Sequence, residues 1–258
     1  MARWVEAGCV AFGVMVTGCT STQPVNTPGD AVTGMASATS AASIDRLHLE
    51  GLVELHWTDE DGAHREQGDL EVWMDGHDRV SMRVTKFGDV YLWMGVTPDT
   101  GFFLFDLTSE DTVLVTGTPT DGPVWMRTPN LLRRMLGMAP VPEAATVEAI
   151  DNAVTITCPR ETGGEDVLTL DQTGRHLTAL QLSLDDGTPV QVRHRDHGNG
   201  VDLGVIQLAR FVDVQVDGDL VRLRFAHGTA NGELPLAVFN LKRLTQAMRP
   251  DRVERLRN

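Results

Sequence analysis

Cysteine is scarce in this chain. Three occur among 258 residues, at positions 9, 19 and 158. Two lie close to the N-terminus, so the body of the chain keeps Cys158 alone and has no internal disulfide framework. In the apolar stretch Ala-Val-Thr-Ile-Thr-Cys, that lone thiol reads as a small buried hydrophobe. Positive charge is also in short supply: 22 Lys and Arg face 36 Asp and Glu, a net charge of -14. Nucleic acid and anionic lipid surfaces both require a basic face, so neither is an expected partner. Catalytic signatures are missing too. There is no Gly-x-Ser-x-Gly elbow, no His-Glu-x-x-His, no phosphate-cradling Gly-rich loop and no Cys-x-x-Cys. The chain is therefore not read as an enzyme, and no cofactor is expected.

The N-terminus carries the first positive signal. Arg3 precedes an apolar run from Ala7 to Val16, which ends in Val16-Thr17-Gly18-Cys19. That run is too short for a bilayer span, which takes about 20 residues. A basic start, a short apolar core and a small-residue cleavage site make a secretory signal. The last four residues resemble the lipobox of bacterial lipoproteins, which implies that residues 1–18 are removed and Cys19 is lipidated. Thr20 follows, and in Gram-negative sorting logic an aspartate there would favour the inner membrane. Threonine favours the outer membrane, with the protein facing the periplasm. Residues 19–43 are then a tether of Ser, Thr, Ala, Gly and Pro carrying one charge, Asp30. Such a composition buries too little apolar surface to offset its ordering entropy. As a flexible coil it spans about 25–30 Å.

Residues 44–258 read as a single β domain. From Leu47 to Trp57, apolar and polar residues alternate with period two, the pattern of a half-buried antiparallel strand. Turn residues recur every 8–12 positions or so, as in a meander of hairpins. Examples are Asp75-Gly76, Phe87-Gly88-Asp89, Asp185-Asp186-Gly187 and Asp217-Gly218-Asp219. Strands are expected at Val154–Cys158, Asp166–Leu170, His176–Leu184, Val190–His194, Val201–Leu208, Phe211–Val216 and Val221–Phe225, among others. The expected fold is mainly β: an antiparallel incomplete barrel, or half-barrel, of about a dozen short strands with one or two covering helices. In the tail, Leu236, Val238, Phe239 and Leu241 are expected to pack back on the sheet, with a short helix over Leu244–Met248.

One helix interrupts the strands. Pro129 suits a first helical position, and Leu131, Leu132, Met135 and Leu136 share a face at helical spacing. Those four residues make either a core-capping helix or a movable lid over a cavity.

This layout is similar to that of the LolA/LolB-like lipoprotein carrier superfamily. The resemblance rests on the order of lipobox, linker and meander, and on an opening strand with Gly51 inside it. It rests also on Phe102–Leu107 followed by Thr112–Thr116 before the inserted helix, and on the closing segment from Leu234 to Leu241. It implies an incomplete barrel, covered by helices, that holds acyl chains in an apolar cavity. Receptors of this kind also insert an exposed apolar loop into the membrane, and no such loop is assigned from the sequence.

Large apolar residues cluster in the first half of the domain. The cavity candidates are Trp57, Trp73, Met74, Met82, Trp93, Met94, Phe103, Phe105 and Trp125, with Phe102 in the same cluster. Flexible methionines and aromatic rings suit an acyl chain; equally, they could fill an ordinary core. Strands such as Val90–Met94 carry large apolar residues on both faces, which points to a sheet covered on both sides. The run His194-Arg195-Asp196-His197 does not make a zinc site. On a strand His194 and Asp196 share a face opposite His197, and the segment reads as exposed hairpin. No metal is expected. Two functions fit these observations. One is a lipoprotein whose cavity binds lipid or lipoprotein acyl chains at the outer membrane. The alternative is an adaptor lipoprotein that docks an envelope protein through a packed β domain.

Overall fold

A computed structural model describes residues 43–256, apart from 60–61, 109, 122–128, 139–140, 151–152, 161–163, 185–186, 205 and 217. Cys19 and Trp125 therefore lie outside the described residues.

The first meander comprises β1 (Arg46–Asp59), β2 (Gly62–Asp75), β3 (Arg79–Lys86), β4 (Asp89–Thr97), β5 (Gly101–Asp106) and β6 (Val113–Gly117). Helix α1 (Pro129–Met135) follows. The second meander is β7 (Thr146–Ile150), β8 (Ala153–Pro159), β9 (Glu165–Leu170), β10 (Leu177–Ser183) and β11 (Pro189–Arg195). A small hairpin, β12 (Val201–Asp202) with β13 (Gln207–Leu208), leads to β14 (Phe211–Val216) and β15 (Asp219–Ala230). Helix α2 (Leu241–Met248) and β16 (Arg252–Arg255) close the chain.

Fourteen strands form one open sheet in the order β16-β6-β5-β4-β3-β2-β1-β15-β14-β11-β10-β9-β8-β7. Among the described residues all its pairings are antiparallel except β16 with β6. The half-barrel expected from the alternation is thus present. Its two halves meet at one seam, where β1 pairs with β15. The seam carries a bulge between Glu50 and Gly51, which adds local twist where the sheet bends around its core.

Three sequence expectations change. Val201–Leu208 is not one strand but the separate β12–β13 hairpin. Leu236 does not pack on the sheet; it is 68% exposed, while Val238 and Phe239 are buried. Helix α2 begins earlier than expected, at Leu241, capped by the Asn240 side chain, which accepts from the Arg243 N–H at 3.0 Å.

The inner face of the sheet holds the main core. Leu47, Leu49, Leu70, Val72, Val80 and Met82 come from the first half; Leu180, Val192, Val212, Val214, Leu223 and Phe225 come from the second. The outer face divides. Around Trp73 and over β4 to β6 it is mainly apolar and covered by the C-terminal segment: Val238 and Phe239 pack on Trp73, and Leu244 packs with Phe103, Phe105 and Leu114. Over β1, β14 and β15 it is polar. There the Arg222 guanidinium donates to Glu54 at 3.1 Å and to Asp213 at 2.9 Å. The apolar residues on both faces of β4 are explained by this double cover.

Candidate functional site

The cavity candidates fall on opposite faces of the sheet. Met74, Met82 and Met94 lie on the inner face, all within the main core. Trp73, Trp93, Phe103 and Phe105 lie on the outer face, beneath the C-terminal segment. Register explains the split: His48, Trp73, Ser81, Gly95 and Phe103 pair in one outer row. Trp57 stands apart near the tip of the β1–β2 hairpin, half-buried and stacked on His64 at 5.1 Å.

Helix α1 packs onto the inner face. Leu131, Leu132, Met135 and Leu136 are buried in the main core, and Met138 joins them. The helix is short, so packing and tethers rather than propensity hold it. Arg133 is 1% exposed. Its guanidinium donates to the Gly76 carbonyl at 3.1 Å and to the Ile44 carbonyl, fixing α1 to the start of β1 and the β2–β3 turn. Arg134 pairs with Asp166 of β9. At the C-terminus Gly137 adopts φ +73°, and the Met138 N–H returns to the Arg133 carbonyl at 2.8 Å, a glycine-based helix stop.

The Met135 carbonyl, left over at that helix end, accepts from His194 Nε2 at 2.7 Å. His194 is thus not an exposed hairpin residue; it is 5% exposed, because β11 continues through Arg195 and its inward positions reach the core. Burial and the nearby His197 push its pKa down to about 4. Burial likewise lowers His197, whose Nε2 bonds the Leu177 carbonyl at 2.9 Å and whose ring stacks on His176 at 4.7 Å. These histidines and Leu136, Ile156 and Leu208 line a cavity of about 60 Å³ beside the helix end. That volume holds about two waters.

The two ends of the half-barrel differ. Arg133 closes the end at which β1 begins. At the opposite end the inner face is only partly covered: Leu55, Leu92, Val216 and Val221 are half-buried there. The β3–β4 turn lies at this same end and presents Phe87, 96% exposed, with φ +56°. A bulky aromatic in left-handed backbone and in water is doubly unfavourable. The sequence showed Phe87-Gly88-Asp89 as a turn but gave no measure of its exposure.

No protein-family model matches the sequence, and no curated protein matches it. Solved structures do match the fold. The chain is similar to a LolA superfamily protein, NE2245, from Nitrosomonas europaea, with a TM-score of 0.50 and 11% identity, over 81% of this chain and 98% of that one. It is similar also to a domain from Vibrio parahaemolyticus described as an outer membrane lipoprotein-sorting protein. There the TM-score is 0.51 and the identity 11%, over 83% of this chain and 99% of that one. At such identity the likeness establishes a shared half-barrel fold.

Proposed function

We propose that this protein is a lipid-anchored component of the bacterial cell envelope whose half-barrel takes up an acyl chain of a lipid or lipoprotein. The single observation that carries the reading is the inner face: a continuous apolar surface with Met74, Met82 and Met94, roofed by α1 and less covered at the end that bears Phe87. The fold shared with a LolA superfamily protein supports it. An acyl chain enters past Leu55 and Leu92 and displaces the face of Leu131, Leu132, Met135 and Leu136. Apolar burial drives uptake, about 0.8 kcal/mol per methylene, and no bond is made or broken. Residues 1–18 act as the signal peptide, Cys19 bears the anchor, residues 19–43 are the tether and residues 44–258 the carrier domain, facing the periplasm from the outer membrane.

The test is a thermal-shift series with saturated acyl ligands of increasing length. The melting temperature is expected to rise with each added pair of methylenes; a flat series rejects the carrier. In parallel, Phe87→Asp is expected to leave stability within about 0.5 kcal/mol, as a surface change does. The same change is expected to weaken binding to zwitterionic vesicles about tenfold or more, since burying a Phe contributes about 1.5–3 kcal/mol. The anchor is tested separately: Cys19→Ala is expected to move the protein from the membrane to the soluble fraction, and continued membrane association rejects lipidation there.

One observation favours an envelope adaptor instead. The inner face under α1 is filled, with the cavity of about 60 Å³ beside it. That reading requires a flat ligand series and a protein partner recovered by crosslinking.

A further inference from the structure

On the outer face of β1 and β2, Glu50 and Glu71 stand directly opposite each other across the antiparallel ladder. Like charges at this spacing repel. His48 lies one pair further along on the same face, opposite Trp73, and its ring stacks flat on the indole at 5.4 Å with an interplanar angle of 3°. The stacking fixes where the imidazole points. Its Nε2 faces both carboxylates, 3.7 Å from Glu50 Oε1 and 3.8 Å from Glu71 Oε1. Those distances are too long for hydrogen bonds. The nitrogen is nonetheless shielded from solvent and hydrogen-bonds to nothing among the described residues. A buried ring nitrogen without a partner is costly, and its cost needs an explanation.

We propose that His48, Glu50 and Glu71 bind a divalent metal ion of the zinc type. The three donor atoms lie within 4.8 Å of one another. Zinc bonds of about 2.0–2.2 Å set tetrahedral donor atoms about 3.3–3.6 Å apart. The two edges from His48, 3.7 and 3.8 Å, already lie near that spacing, and a side-chain shift on the order of 1 Å brings the two carboxylates to it. Two carboxylates and one imidazole suit zinc and its neighbours; calcium requires six to eight oxygens.

The surroundings suit such a site. Arg83 pairs with Oε2 of Glu71, which leaves Oε1 toward the imidazole and orients that carboxylate. The guanidinium itself lies against two indoles, 5.5 Å from the Trp73 ring and 5.3 Å from the Trp93 ring. Glu50 and Glu71 also line a groove of about 540 Å³, together with Asp69, Arg210, Arg224 and His227, which opens their carboxylates to solvent. An ion here ties β1 to β2 next to Trp73, the residue on which Val238 and Phe239 pack. It therefore braces the outer cover as well as the strand pair, whatever the inner face carries.

The experiment is a zinc chloride titration of the metal-stripped full chain by calorimetry at neutral pH, with calcium as control. One equivalent of zinc is expected to bind and to raise the melting temperature, while calcium does neither. Glu50→Gln removes one donor from a half-exposed side chain and is expected to weaken zinc binding at least tenfold. His48→Gln is expected to do the same. If His48→Gln misfolds, Glu50→Gln alone decides. Zinc binding of equal affinity in wild type and Glu50→Gln overturns the proposal, since thiols elsewhere would then be the ligands. Absence of heat and of any melting shift with millimolar zinc overturns it equally.

Discussion

Gly51→Ala is expected to destabilise the protein by about 3 kcal/mol or more, a large part of the 5–15 kcal/mol typical of a domain. A Cβ at this position lies 2.0 Å from the Arg224 carbonyl oxygen, 2.9 Å from its carbon and 3.0 Å from the Phe225 Cα. All three are backbone atoms, so no rotamer change relieves the clash. The ladder between β1 and β15 must open at its bulge instead. That ladder is the seam joining the two halves of the sheet, so the damage reaches both sides of the core. Urea unfolding of wild type and variant measures the effect. Gly198→Ala is the control: a Cβ there meets nothing within 4 Å, and a change within about 0.5 kcal/mol is expected. Equal midpoints for wild type and Gly51→Ala would mean that the seam yields without cost.

The second large effect is expected from acid. His194 is buried and neutral, with its pKa lowered from 6.5 to about 4. The unfolded chain, with the higher pKa, takes up the proton first as pH falls. The stabilisation is therefore complete above pH 6.5, declines between pH 6.5 and about 4, and is gone below that. The shift corresponds to about 3 kcal/mol. Glu54 and Asp171, whose pKa values are lowered mainly through hydrogen bonds to neighbouring side chains, lose their own contributions toward still lower pH. The informative comparison is with His194→Gln, which keeps a donor for the Met135 carbonyl and does not titrate. Its stability is expected to be flatter over that window by about 3 kcal/mol. Parallel pH profiles for the two proteins would show that His194 is not the group responsible. Since His194 holds the end of α1, the same protonation loosens the roof of the inner face.

The strands were legible because period-two alternation and turn residues are local. Leu47 to Trp57 announced β1, and Asp75-Gly76 its partner's end. The apolar residues on both faces of β4 announced a sheet covered twice, as found: α1 packs on one face and the Val238–Leu244 region on the other. Helix α1 was legible from Pro129 and its apolar face. The role of Arg133 was not, since its partners are two distant carbonyls, those of Ile44 and Gly76, that only the fold places beside it.

The site divides in the same way. The sequence assembled one aromatic and methionine cluster; the register separates it, with Met74 and Met82 inside and Trp73 and Phe103 outside. Neighbouring residues on a strand point to opposite faces, so closeness in sequence places Trp73 and Met74 apart in space. His194 read as hairpin because Gly198 and Gly200 follow it. Only the packing of β11 under α1 shows it buried. Likewise His48, Glu50 and Glu71 share no motif, since β2 must fold back on β1 before they meet. By itself the sequence determined what is written in nearest neighbours: the strand period, the turns and the helix face. The tertiary structure alone decided which face each residue occupies, what covers it and which distant carbonyl or carboxylate it meets. Those depend on which strands pair, in what register and what packs on each face, and none of that is written in neighbouring residues.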